Sequence, residues 1–135
     1  MGILRGLMGH ATEVDVSKVR EEFAPMLIEG EEIATAYKLV RDMFVFTNLR
    51  LILVDKQGVT GKKTAYQTIP YSSIVRFAKE SAGLFDLDAE LKIWIRDQAE
   101  PIVKEFKKDQ SINDIYQILG QAILSQQLPT AAESD

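Results

Sequence analysis

The amino-acid sequence predicts a mainly β fold of about seven antiparallel strands in two curved sheets, capped by a C-terminal α-helix, with a short N-terminal helical segment. Three observations lead there. Between Glu31 and Lys108, apolar residues recur in runs of strand length, punctuated by Asn, Gly and Pro. The turns between them are two to six residues long, too short for the crossover that a parallel pair requires. After Lys108 the apolar period changes from two to that of a helix. An antiparallel sheet of this size protects its edges by curling into a partly open barrel, and an amphipathic helix across the mouth buries what the opening exposes.

Residues 1–29 read as helical. Ile3, Leu4, Leu7 and Met8 recur at helical spacing, although three glycines weaken that segment. Asp15 is placed to cap a second helix with Val16, Val19, Phe23 and Leu27 near one face. Pro25 should end or bend it, because proline disfavours helical geometry in the residue before it. Pieces this short cannot stand alone and must pack on the main domain or on another subunit.

The main domain then follows over residues 30–125, its strands lying between Glu31 and Lys108. EEIATAYKLV reads as the first, and Arg41-Asp42 as a short connection to MFVF. Thr47-Asn48-Leu49 turns the chain into RLILVD, Asn being tolerant of positive φ. Gln57 to Gly61 contains two glycines and leads into KKTAYQTIP, which Pro70 closes because it cannot donate to a ladder. SIVRFAKES comes next, then a turn around Gly83. The clearest alternation sets Leu87, Ala89, Leu91, Ile93 and Ile95 against Asp88, Glu90, Lys92, Trp94 and Arg96. PIVKEFKK is the last strand. In the final helix, Ser111 and Asp114 form a capping-box variant, and Ile112, Ile115, Leu119, Ala122 and Ile123 make the apolar stripe. Residues 126–135 are polar or small and read as a flexible tail.

Composition excludes several function classes. A formal charge of −4 over 135 residues argues against a nucleic-acid binder, which needs clustered cations for counterion release. The same balance disfavours a purely electrostatic hold on anionic lipid. With no cysteine there are no disulfides, thiolate metal sites or cysteine catalysis, which fits a reducing compartment. No apolar run approaches the ~20 residues that span a bilayer. The N-terminus is too short and Gly-broken for a signal peptide, and Gly6 stands where myristoylation wants Ser or Thr. The expected location is cytoplasmic.

Four stretches carry a family resemblance: Leu27 to Lys63 (LIEGEEIATAYKLVRDMFVFTNLRLILVDKQGVTGKK), IPYSSIVRF, LFDLDAELKIWI and PIVKEF. Together they resemble the bacterial pleckstrin-homology (PH) domain family over roughly Glu13 to Leu124. The resemblance implies a PH-like barrel and single-domain members that assemble into closed cyclic rings, with a pentamer the expected size. It implies no reaction.

Candidate binding residues are Asn48, Arg50, Lys62, Lys63 and Trp94. Lys62 and Lys63 follow the Gly58–Gly61 loop and Lys56 precedes it, which suggests a phosphate or headgroup site. Against this, the segment lacks the Gly-Lys-Ser/Thr ending of a P-loop, and a solvated hairpin whose lysines discourage edge pairing is favoured. Many eukaryotic PH domains grip inositol phosphates in the loop between their first two strands. Here Val40-Arg41-Asp42 is too short for that and carries an acid beside its base. Arg50, leading a Leu-Ile-Leu-Val strand, should pair with a carboxylate or serve a ring interface. Trp94, on the polar side of its strand, is either a contact hot spot or covered by a neighbouring element.

Asp86, Asp88 and Glu90 cluster acids without a nearby histidine or nucleophile, and His10 lies alone in the Gly-rich terminus. No catalytic set, cofactor site or metal spacing can be assembled from this sequence. The expectation is a non-enzymatic scaffold whose ring displays a polar surface to a protein partner not identifiable from the sequence. The alternative is a peripheral module for acidic lipid headgroups.

Overall fold

The computed structural model describes residues 12–57, 63–81, 88–107 and 112–125. Expectations placed on Ile3, Leu4, Leu7, Met8, His10, the Gly58–Gly61 loop, Lys62, Gly83, Asp86, Leu87, Ser111 and the tail 126–135 lie outside these residues. In chain order the elements are β1 (Thr12–Glu13), α1 (Val16–Phe23), β2 (Ile33–Lys38), β3 (Asp42–Thr47), β4 (Arg50–Gln57) and β5 (Lys63–Pro70). There follow β6 (Ile74–Ser81), β7 (Asp88–Ile95), β8 (Ile102–Lys107) and α2 (Ile112–Leu124). The seven expected strands are β2 to β8. All pairings are antiparallel, within a five-stranded sheet ordered β1-β2-β3-β4-β5 and a three-stranded sheet ordered β6-β7-β8.

The eighth strand corrects the reading of residues 1–29 as helical throughout. Thr12 and Glu13 pair with Lys38 and Tyr37, and the Val14 amide continues the contact by donating to the Ala36 carbonyl at 3.0 Å. The outer edge of β2 carries backbone groups that need partners, and this passing segment supplies them. Helix begins only at α1, where the Asp15 carboxylate accepts from the Ser17 amide at 3.0 Å and from its hydroxyl at 2.7 Å. It ends at Phe23, and Pro25 sits in a 3₁₀ turn over Ala24–Met26.

Two apolar cores flank the five-stranded sheet. On its inner side Phe44, Phe46, Leu51 and Leu53 meet Leu91, Ile93 and Phe106 of the other sheet, and Ile115, Leu119 and Ile123 of α2 close the mouth. Phe44 stacks beside Phe46 at 6.2 Å between centroids and tilts against Phe106 at 6.1 Å. On its outer side Ile33, Ala36, Val45, Ile52 and Val54 receive Val19 and Phe23 of α1. That double burial explains why β4 reads Leu51-Ile52-Leu53-Val54 without alternation. Each fully buried side chain of this size contributes about 1.5–3 kcal/mol. β7, by contrast, alternates because only its inner face is in a core: Leu91 and Ile93 are buried, while Lys92 and Trp94 remain half-exposed.

The β3–β4 turn differs in mechanism from the expectation. Among the described residues positive φ occurs at Gly30 and Asp97, not at Asn48. Asn48 works through its side chain: Oδ1 accepts from the Glu32 amide at 2.7 Å, and Nδ2 donates to the Gly30 carbonyl at 3.1 Å. It ties one turn to another instead of adopting a left-handed backbone.

Candidate functional site

Arg50 opens β4, and the carboxylate expected for it is Glu31. Arg50 Nε donates to Glu31 Oε2 at 2.7 Å and Nη2 to Oε1 at 2.8 Å, a two-point fork. The same guanidinium reaches Thr68 Oγ1 on β5 at 2.7 Å and the Met26 carbonyl after α1 at 2.8 Å. Glu31 further accepts from the Thr47 hydroxyl at 2.7 Å and the Ile28 amide at 3.1 Å. The Arg50 fork, outweighing burial, holds the Glu31 carboxyl down at about 2. Below the cluster, Tyr71 donates to the Thr47 carbonyl at 2.7 Å, and burial pushes its phenol up. Asn48 and Arg50 are thus brought to one corner of the fold, both bonded within the chain: Arg50 to the buried Glu31, and Asn48 through exposed hydrogen bonds. A concavity of about 360 Å³ adjoins them, lined by Arg20, Leu27, Glu31, Glu32 and Ile33.

A second polar cluster was missed by the sequence reading. Lys104 Nζ on β8 donates to Asp55 Oδ1 on β4 at 2.7 Å and to Asp42 Oδ2 on β3 at 3.1 Å. Asp42 and Asp55 are cross-strand partners, so one ammonium bridges two facing carboxylates and fastens one sheet to the other. Burial raises the Asp42 carboxyl. Burial also opposes ionisation of Asp55, but the Lys104 ammonium prevails and lowers it. For Lys104, burial is outweighed by the two carboxylates, and its ammonium is raised. A signal did exist: Asp42 is in phase with Phe44 and Phe46, Asp55 with Leu51 and Leu53, and Lys104 with Ile102 and Phe106. A charge in the inward phase of a strand needs a partner there.

The other candidates are apart from both clusters. Lys63 begins β5 opposite Gln57 and is exposed, as is Lys56; Lys62 lies outside the described residues. Trp94 lies opposite Arg76 on the outer face of the three-stranded sheet, where the Arg76 guanidinium stacks 4.0 Å from its ring centroid. No group of three or more His, Cys, Asp or Glu residues that could hold a metal ion occurs among the described residues. No helix among them is long and apolar enough to cross a membrane.

Comparison with known proteins adds the lineage. The bacterial PH domain family model matches residues 2–123. The chain is 58% identical over 121 residues to the uncharacterized protein YjqA of Bacillus subtilis, covering 89% of this chain and 97% of that one. It is 32% identical over 120 residues to the uncharacterized protein YozO of the same organism, covering 89% and 99%. Among solved structures it is similar to a DUF1696 family protein with a pleckstrin-homology domain from Shewanella loihica. That match has a TM-score of 0.74 and 48% identity, over 86% of this chain and 99% of that one. A pleckstrin-homology domain from Shewanella amazonensis superposes with a TM-score of 0.77 and 53% identity, over 85% and 93%.

Proposed function

This chain belongs to the bacterial PH domain family, and from that premise we propose that it is a non-enzymatic, cytoplasmic scaffold. Copies assemble into a closed ring, a pentamer, and each copy displays one polar surface to a protein partner. The observation that carries this reading is the distribution of polar groups. Both charged clusters are directed inward and satisfied, so they brace the barrel; the groups left for contact lie on open sheet surfaces and edges. β5, β6 and β8 each present one edge without a strand partner among the described residues, and such edges are templates for another chain. Ile28, Val40 and Val75 are exposed apolar side chains on the same molecule. A heterologous contact repeated by a fixed rotation closes into a ring, and repeated display turns a weak single contact into a useful one.

Light scattering at micromolar protein tests the assembly. The expected mass is five times the 15.2 kDa protomer, and a monomer mass would overturn the ring. The alternative, a module for acidic lipid headgroups, has one observation in its favour. Val40, 74% exposed, sits on the β2–β3 turn, and Lys56 and Lys63 are exposed on the β4–β5 hairpin. Salt-sensitive flotation with phosphatidylserine vesicles, lost in Lys62→Glu/Lys63→Glu, would favour that alternative over the scaffold.

A further inference from the structure

The Lys104 cluster is hydrogen-bonded throughout, but its charges do not balance. One ammonium meets two carboxylates, 2.7 Å from Asp55 Oδ1 and 3.1 Å from Asp42 Oδ2. With all three groups ionised, the trio carries one negative charge in excess. The three side chains are between 12% and 23% exposed, so water screens that excess poorly. Strand register holds it in place. Asp42 and Asp55 are cross-strand partners on β3 and β4, within hydrogen-bonding reach of each other. Like charges at directly opposed positions destabilise a ladder.

The elements packed around the trio present apolar groups to it. Ala65 on β5 is opposite Asp55, and Leu91 on β7 is opposite Lys104. Their other charged groups sit in exposed positions: Lys38 on β2, Arg41 in the β2–β3 turn, Lys56 on β4 and Lys63 on β5. Glu105 and Lys107 flank Phe106 on β8 and are exposed, while Glu90 and Lys92 flank the buried Leu91 in the outward phase of β7. A proton removes the excess at the trio itself. Taken up from water by the Asp42 carboxylate, it leaves one carboxyl and one carboxylate. Asp42 then donates its O–H to Asp55, and Asp55 keeps the ammonium that already lies nearer to it.

We propose that Asp42, Asp55 and Lys104 form a proton-set clasp between the two sheets, looser when both carboxyls are ionised and tighter when Asp42 holds a proton. The clasp acts on the β2–β3 turn, because Asp42 also closes that turn: its carbonyl accepts from the Leu39 amide at 2.8 Å. Acidification therefore firms the turn that presents Val40 and Arg41. Burial, followed by the hydrogen bond with Asp55, raises the Asp42 carboxyl above its ordinary 3.8, in keeping with this geometry. A carboxyl raised in the folded state adds stability as pH falls through its folded value toward 3.8. Asp55 and Glu31, both lowered, have the opposite sign, and their contributions fade below 3.8 and 4.5 respectively. The clasp is therefore read between pH 8 and pH 4.5.

Hydrogen exchange of the full chain tests this, read by mass spectrometry on peptides spanning residues 37–43 and corrected for the intrinsic exchange rate. Protection in the wild type should rise about fivefold from pH 8 to pH 4.5, the fold-change of one partly exposed charge contact. Asp42→Asn sets a neutral hydrogen-bonding group beside Asp55 and Lys104. It should show the higher protection already at pH 8 and no further rise on acidification. Asp55→Asn relieves the excess from the other side, leaving Asp42 alone with the ammonium. It should flatten the response as well, and it carries the test if Asp42→Asn does not fold. A wild-type response independent of pH would overturn the proposal, and so would the full response surviving in either variant. Protection in Asp42→Asn below that of the wild type at pH 8 would overturn it too. So would a wild-type rise that follows a change of assembly mass in light scattering at the same pH values.

Discussion

Arg50→Met isolates the Glu31 cluster. The substitution keeps much of the aliphatic stem and removes the guanidinium. Glu31, whose side chain is fully withdrawn from solvent, then keeps only the Thr47 hydroxyl and the Ile28 amide as donors. Breaking a buried ion pair by deleting one partner costs about 3–5 kcal/mol. The Arg50 side chain is 17% exposed, so water reaches the vacated position and the expected cost falls at the lower end, about 3 kcal/mol. The depression of Glu31 from 4.5 to about 2 sets a similar ceiling of about 3 kcal/mol before solvent screening.

The pH dependence follows from the same depression. A carboxylate whose folded value lies below its unfolded value contributes stability that is present above pH 4.5 and fades as pH falls toward 2. The gap between wild type and variant should therefore be full at pH 7 and clearly narrower at pH 3.5. Urea unfolding followed by Trp94 fluorescence, at one fixed protein concentration, measures both. A gap below about 1 kcal/mol at neutral pH would refute the reasoning, and so would a gap equal at the two pH values.

Lys104→Met should leave Asp42 and Asp55 facing each other without their cation, costing about 1–3 kcal/mol at pH 7. Both carboxyls are then raised, and groups raised in the folded state gain stability on acidification, so part of the loss should return by pH 5; a pH-independent loss in denaturant titration would contradict this. Asn48→Ala removes two exposed side-chain hydrogen bonds between turns and should lower stability by about 1 kcal/mol, seen as a fall of a few degrees in melting temperature. Leu119→Ala opens a cavity under the capping helix and should cost about 2–5 kcal/mol by the same titration; a cost below 1 would mean α2 does not seal the barrel.

Much of the fold is legible in the chain because it is written in local periods. The alternation Leu91, Ile93 against Lys92, Trp94 gave β7 its inner face, and Ile115, Leu119 and Ile123 gave α2 its stripe. Asp15 and Pro25 set the limits of α1 by capping and by exclusion of helix. Arg50 at the head of an apolar strand announced a carboxylate partner, since a charge in that position must be compensated. Its identity as Glu31, nineteen residues away, depended on how the β3–β4 turn docks against the Gly30 loop. Lys104 stayed hidden for a stronger form of the same reason: its partners are forty-nine and sixty-two residues distant and lie in the other sheet. A row of glutamates likewise exists only through register, because Glu80, Glu90 and Glu105 become neighbours when β6, β7 and β8 pair. Sequence periodicity determined which face of each element turns inward, because burial acts residue by residue along the chain. Only the tertiary structure decided which charges meet, because electrostatic partners are chosen by distance in space.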